Sequence, residues 1–198
     1  MKQNYIIEFM PRKIAYSLAD VFEHAMPLIL EKGFRGCSME TLINKTDFNR
    51  RAFYIEFQNK VGFTHALLHY YIDKELTPLQ DMLTANTQIP QAIIAYFEAY
   101  QEKINHKGCL LVKLVLELAH DDPIIQDIAR RYYDNLQLAF IACLERAIAH
   151  HELPNDINVE AFALKLSCFA QGFAVSNSIQ QGDSDAITVI KNLFAKNA

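Results

Sequence analysis

An all-helical fold is predicted by three observations. Apolar residues recur at helical spacing through one segment after another, no stretch alternates with the period of two that a half-buried strand needs, and the breaks carry residues that start and stop helices. No internal repeat is present. The 198 residues allow one domain or two and suffice for a sizeable core. With 51% hydrophobic and 21% charged residues, the chain has an ordinary soluble composition and no apolar run long enough to span a bilayer. Glu8, Arg12 and Lys13 interrupt the apolar start, so no signal peptide is read and a cytoplasmic protein away from membranes is expected.

Residues 1–16 are expected to form an N-terminal arm. The first nine precede a second methionine, Met10, and either belong to that arm or lie ahead of the real start. Arg12 and Lys13 could reach phosphate or the minor groove of DNA, or simply be solvated. Ser17 with Asp20 resembles a capping box, and Leu18, Val21, Phe22, Ala25, Leu28 and Ile29 continue a helix to about Lys32. Pro27 within it opposes the carbonyl of Glu23, which predicts a kink, and Gly33 predicts the end. Ser38 caps a short helix, Met39 to Lys45, that turns Leu42 and Ile43 inward. Thr46, Asp47 and Phe48 make a break. Asn49 can then accept from the free N–H groups of a second short helix, leaving Arg50, Arg51 and Ala52 exposed in its first turn. Phe48, Phe53 and Phe57 supply the apolar side.

After Lys60, VGFTHALLHYYIDKEL reads as one long helix, with Pro78 its end or a kink and Thr84 to Gln88 a later break. Helices follow over Ile89 to Ile104, Cys109 to Ala119, Ile124 to His151, Val159 to Ile179 and Ala186 to Ala195. Asn105 to Gly108, His120 to Pro123, Glu152 to Asn158 and Gln180 to Asp185 separate them. The expected organisation is thus an arm, a three-helix head over residues 17–60, and a larger helical body over residues 61–198.

The pair of short helices reads as a helix-turn-helix, because a short helix fits the major groove with its N-terminal residues at base edges and cations on the phosphates. Arg50 and Arg51 sit where such contacts are made. A bland alternative is an amphipathic helix pair with two arginines on a solvated face. The net charge of −4 is uneven: residues 1–60 hold nine Lys and Arg against seven Asp and Glu, and the remainder is acidic. That suits a DNA-reading head on a body that avoids DNA.

In this stretch the chain resembles the tetracycline-repressor (TetR) family of bacterial regulators. Leu42 and Ile43 fall on the family's apolar pair, and Asn49 falls where the family has a capping Ser. Phe53, Tyr54, Phe57, Lys60 and Phe63 match its aromatic-Tyr-x-x-Phe-x-x-Lys-x-x-apolar signature, while Ala25, Ile29, Gly33 and Phe34 match its first helix and following turn. Asp47 replaces the usual turn Gly, and Arg51 a frequent small residue. The resemblance implies a transcriptional repressor on palindromic double-stranded operator DNA, with Tyr54 and Lys60 on phosphates and Ser38, Thr41, Asn49, Arg50, Arg51, Ala52 and Phe53 completing the DNA-binding set. It also implies a homodimer whose final two helices pair in a four-helix bundle. Ala163, Phe169, Ala170, Gly172, Phe173 and Ala174 there are either ordinary core or an interface; the expected dimer residues are Phe169, Gly172, Phe173, Ser176, Ile190 and Phe194.

The body's informative stretch is KGCLLVKLVLELAHDDP, Lys107 to Pro123. Gly108, Cys109 and Leu110 opening a helix, with Glu117 two turns on, resemble an electrophile-responsive subset of the family, that of the N-ethylmaleimide reductase repressor. A cysteine at a helix N-terminus gains thiolate character, and Lys107 would add to it. Cys109 is therefore the expected effector sensor, or else a small buried residue. An apolar effector pocket is expected from Phe63, Tyr70, Phe97, Tyr100 and Leu110 beside it, for a small molecule or an electrophile. Cys143 and Cys168 read as core, and Cys37 precedes the reader; all four thiols are expected to be reduced. His65 and His69 at i, i+4 could bind a metal, but lack a third ligand and read as a polar helix face. His150, His151 and Glu152 read as a helix end suited to the dipole. No nucleophile with a base, phosphate-cradling glycine loop or paired carboxylate motif occurs, so neither an enzyme nor a cofactor is expected. A helical interaction protein or enzyme without DNA binding is the rival reading.

Overall fold

The computed structural model describes residues 17–84, 88–104, 107–179 and 186–195, and among these no strand occurs. The N-terminal arm with Arg12 and Lys13, most of the Thr84 to Gln88 break, and the whole Gln180 to Asp185 loop lie outside the described residues.

The first helix, α1 (Leu18–Gly36), starts on Ser17, whose hydroxyl accepts from the Asp20 N–H at 3.3 Å. Its backbone stays helical at Pro27. The break comes instead at Gly33, where φ 74 and ψ 171 fall in a region that essentially only glycine enters, and the chain then completes a short turn to Gly36. In α2 (Met39–Thr46), Ser38 accepts from the Thr41 N–H at 3.0 Å. Asp47 closes that helix in the left-handed conformation, φ 50 and ψ 31, which Asp tolerates better than most residues. Asn49 then caps α3 (Arg50–Phe57) through Oδ1, accepting from the N–H groups of Arg51 and Ala52 at 2.9 and 3.2 Å.

Helices of eight residues are marginal alone, so tertiary packing must hold α2 and α3. Phe53 is fully buried, and its ring lies 5.1 Å from Phe57 and 5.0 Å from Phe63. Phe22 of α1 and Phe48 complete the cluster, at 5.8 Å from Phe57 and 5.9 Å from Phe53. Phe63 lies on α4 (Lys60–Tyr71), so the head's packing runs past Lys60. Phe63 is accordingly a head-core residue, not the effector-pocket residue expected from sequence. A Cβ on Gly62 would lie 2.2 Å from the Phe57 carbonyl oxygen, so only glycine lets α4 begin flush against the end of α3.

From α4 the chain passes through a π-helical turn, Ile72–Leu76, into α5 (Thr77–Asp81) and a 3₁₀ turn, Met82–Thr84. Pro78 therefore does not end the run: the widened turn just before it absorbs the missing donor. Arg146 closes the far end, its guanidinium donating to the carbonyls of Leu83 and Thr84.

The body comprises α6 (Ile89–Ile104), α7 (Leu110–Leu118), α8 (Pro123–Ala149), α9 (Val159–Ile179) and α10 (Ala186–Ala195). Its centre is aromatic: Phe97 of α6 lies 6.0 Å from Phe140 of α8 and 5.4 Å from Phe169 of α9. Helix α8 stops at Ala149, short of the predicted His151, because His151 takes a left-handed φ of 60°. Glu152 then turns its carboxylate to the N-terminus of α6, accepting from the Ile89 N–H at 2.6 Å. At its start α8 is capped by Asp122, which accepts from Ile124 and Ile125 and meets His65 Nε2 of α4 at 2.7 Å. Burial opposes the charge on Asp122, but the hydrogen bonds from His65 and the two N–H groups outweigh it and hold its pKa below the ordinary 3.8.

Replacing Phe53 with Ala is expected to cost about 3–5 kcal/mol by cavity formation, measured by urea unfolding. Replacing Asp122 with Ala is expected to cost about 1–2 kcal/mol at pH 7 as a lost cap. A depressed carboxylate stabilises the fold above its unfolded pKa and ceases to do so below its folded one. The ionic part of the Asp122 difference should therefore be intact at pH 7, begin to fall as the pH drops through about 4 and be smaller at pH 3, in unfolding curves taken at those three values.

Candidate nucleic-acid interface

Helix α3 presents one solvent-facing surface. Arg50 and Arg51 are exposed in its first turn, and among the described residues neither is paired with a carboxylate. Tyr54 is 43% exposed one turn on, with Ile55 beside it at 69%. Asn49 and Ser38 are exposed at the caps, while Thr41 and Ala52 are half-buried. Of the residues assigned to DNA by sequence, Phe53 is the exception: with no exposed surface it belongs to the core beneath the reader. Ile55 was missed by sequence reasoning. Its signal was available, since an apolar side chain two residues after Phe53 and two before Phe57 cannot share their helix face.

Lys60 opens α4 half-buried, its Nζ 3.9 Å from the centroid of the Phe34 ring. Burial lowers its pKa, partly offset by nearby Cys37 and Glu117. Cys37 itself is fully buried, its Sγ donating to the Leu28 carbonyl at 3.5 Å, and burial raises its pKa. An inert packing role follows for that thiol.

In the body, Cys109 occupies the N-cap of α7 as expected, but it is buried, with 4% exposure. The hydroxyl of Tyr71 donates to its Sγ at 3.6 Å. Tyr96, Tyr100, Tyr132 and Tyr133 feel the same thiol, and burial first, with Cys109 contributing, raises the pKa of each. The Tyr71 hydroxyl of α4 is thus in contact with the sulfur, and neutral phenols of α6 and α8 lie near enough to interact with it electrostatically. Phe97, Tyr100 and Leu110 are buried in this core. Tyr70 is not among them: its ring lies 5.1 Å from Phe22 and its hydroxyl donates to Glu23 at 3.0 Å, at the seam with α1. A separate cleft of about 430 Å³ lies between α6 and α10, walled by Pro90, Ile94 and Phe194 with Glu152 and Lys191 at its rim. His65 is engaged by Asp122, and His69 is exposed.

The expected dimer residues divide by burial. Phe173, Ile190 and Phe194 are 2%, 0% and 5% exposed, so they pack inside one chain. Phe169 also leans inward on Phe97, and Ser176 is half-buried. The opposite face of α9 is open: Leu164, Cys168, Gly172, Val175 and Ile179 form a stripe, with Leu164 50% and Ile179 75% exposed. Cys168, read from sequence as core, is the exposed cysteine. No described helix is long and apolar enough to cross a membrane.

Residues 88–193 match the family model described as tetracyclin repressor-like, C-terminal domain. The chain is 25% identical over 159 residues to the HTH-type transcriptional repressor ComR of Escherichia coli (strain K12), covering 78% of this chain and 76% of that protein. In structure it resembles a cysteine mutant of the TetR family transcriptional regulator CifR complexed with double-strand operator DNA, with TM-score 0.80, 18% identity and coverage of 94% and 98%. It also resembles the reduced form of E. coli NemR, with TM-score 0.74, 21% identity and coverage of 87% and 94%. Since the model match spans more than half of the 198 residues and the all-helical architecture agrees, the chain belongs to the tetracycline-repressor family of transcriptional regulators.

Proposed function

We propose that this regulator is a sequence-specific DNA-binding repressor that works as a homodimer on a palindromic operator. It lets go when its body takes up a small molecule or reacts with a thiol-directed electrophile. The observation that carries the reading is the solvent-facing surface of α3: Arg50, Arg51, Tyr54 and Ile55 stand on a short helix whose other face is locked into an aromatic core. The ComR relative bears the name of a repressor, and the CifR relative was solved on operator DNA; both properties come to this chain as part of the proposal.

The arginines reach base edges or phosphates from the first turn, Tyr54 meets a phosphate, and Ile55 suits the methyl group of a thymine. Lys60 meets phosphate from a position set by the Phe34 ring. The open α9 stripe is the face offered to a second copy. A twin head about 34 Å away then doubles the contacts. Such a protein is cytoplasmic, since its target is there, and it needs no catalytic residue. Residues 17–60 form the reading head, and residues 61–198 bind effector and dimerise.

Cys109 is the proposed sensor. Its burial beside the Tyr71 hydroxyl favours compact, uncharged electrophiles over bulky or anionic ones, because a charged reagent would lose its hydration there.

Selection of duplexes from a random pool should enrich a palindrome. Binding to it should fall linearly with log salt, and Lys60→Ala should reduce that slope by about 1, while Arg50→Ala weakens binding by about 1–3 kcal/mol if it reads a base. No enrichment would remove the DNA-binding reading. Cys109→Ser should bind the selected duplex as wild type does but fail to release it on treatment with N-ethylmaleimide. Release by that variant would place the sensor elsewhere.

A further inference from the structure

A buried sulfur is a poor nucleophile until it ionises, and ionisation needs a donor beside it. Cys109 holds the N-cap of α7, where its carbonyl accepts from the Lys113 N–H at 3.0 Å while its side chain makes no cap bond. Gly108 just before it has a φ of 79°, and a Cβ there would lie 3.2 Å from the Cβ of Ser178, so glycine lets the chain turn into α7 close against α9. The donor that the helix end does not supply directly comes from α4. Tyr71 is 5% exposed, and its hydroxyl donates to Cys109 Sγ at 3.6 Å. The π-helical turn Ile72–Leu76 begins at the next residue, and Leu67, Leu68 and Leu76 on either side are fully buried, which holds the ring in place.

Two features set this bond apart from ordinary core packing. A buried phenol needs an acceptor, and a neutral thiol is a weak one, whereas a thiolate accepts a charge-assisted bond. The contact therefore strengthens when the sulfur loses its proton and favours that loss. The phenol also meets a free N–H of α7: Leu110 donates to the Tyr71 oxygen, against the larger effect of burial, which keeps the phenol protonated. A chain of Leu110 N–H, Tyr71 O–H and Cys109 Sγ then carries the polarity of the helix end to the sulfur, each bond polarising the next. The other titratable groups that act on the thiol are Tyr96 and Tyr100 of α6 and Tyr132 and Tyr133 of α8, all held neutral by burial. Helix α9 presents Ser178 and the Ala174 carbonyl at Gly108, neither of which titrates, and Lys107, the nearest cation in sequence, is exposed.

We propose that Tyr71 activates Cys109: its hydroxyl bond stabilises the thiolate and makes this buried sulfur one that compact, uncharged electrophiles alkylate. This rests on the sensor reading above and deepens it. In the step itself the thiol proton passes to solvent, a sulfur lone pair forms the S–C bond, and the leaving group departs with the electrons of the bond that breaks. With iodoacetamide the C–I bond breaks and iodide leaves, so no oxidant or reductant is needed.

The test uses the full chain and iodoacetamide, with the rate at Cys109 followed by mass spectrometry of its peptide from about pH 6 to about pH 10. The wild-type rate is expected to rise with pH and level off within that range. In Tyr71→Phe the midpoint should move up by about one pH unit, so that the rate near pH 7 falls about tenfold, while the plateau is kept or slightly raised because a more basic thiolate is the better nucleophile. Tyr133→Phe, which removes a phenol that acts on the thiol coulombically, should leave the midpoint in place. A profile lowered by the same factor at every pH, a faster reaction in Tyr71→Phe, an equal shift in Tyr133→Phe, or a wild-type rate still climbing at the top of the range each overturns the proposal. Circular dichroism checks the fold of Tyr71→Phe. Should that variant not fold, a fluorotyrosine installed at position 71, a stronger donor of the same shape, is expected to move the midpoint down, and an unmoved midpoint overturns the proposal. If alkylated wild type still holds the selected duplex, the sensor reading has failed, and the midpoint still decides the role of Tyr71.

Discussion

The reader helix depends on the ring cluster beneath it. Eight residues cannot hold a helix in water, and α3 has further spent its surface positions on charge and on an exposed Ile55. What fixes it is Phe53, inserted between Phe48, Phe57 and Phe63 at centroid separations of 5.0 to 5.9 Å. Because Phe22 comes from α1 and Phe63 from α4, the cluster ties the reader to both elements through which the body could move it. Rigidity of the reading surface and its susceptibility to regulation therefore have the same physical source.

A second constraint is the closing of helix ends by distant side chains. Every helix leaves donors at one end and acceptors at the other. Here Lys113 serves Leu30, Asp122 meets His65, Glu152 serves Ile89 and Arg146 serves Thr84, across sequence separations of 83, 57, 63 and 62 residues. Each such bond makes the start or stop of one helix conditional on the placement of another. A shift in the body consequently changes helix ends as well as packing, which gives small movements a defined energetic consequence.

Local signals were legible in the sequence, and long-range ones were not. Ser38 and Asn49 cap the helices they precede, and Asp47 takes the left-handed turn, because each acts on backbone within three residues of itself. Periodicity likewise located the helices but could not say which of two apolar faces is inside. Phe173, Ile190 and Phe194 were placed on the surface, and Cys168 in the core, for that reason; α9 has apolar residues nearly all round, so only its neighbours decide. Phe53 erred in the same direction, a core residue on a helix whose neighbours are exposed. Gly33 was legible as the end of the first helix, but its close approach to Glu117 was not, nor was the role of Gly62, since both depend on atoms that come close only in the folded chain.

In the proposed homodimer with Cys109 as sensor, the cysteines would connect assembly to sensing. In the single chain Cys168 is exposed whereas Cys109 is buried, so accessibility alone would direct a thiol reagent to Cys168 first. Selective reaction at Cys109 then requires either a much more nucleophilic sulfur there or a cover over Cys168. The α9 stripe supplies the cover if a second copy packs on it, because Cys168 lies within the stripe, one turn from Gly172, whose missing side chain leaves open space for close approach. An antiparallel crossing about a twofold axis at Gly172 would set the two Cys168 residues about 12 Å apart along the helices, too far for a disulfide and well placed for burial. Assembly and chemical selectivity would then be one property: in the proposed dimer, the surface that brings two heads to one operator would also shield the thiol that otherwise competes with the proposed sensor.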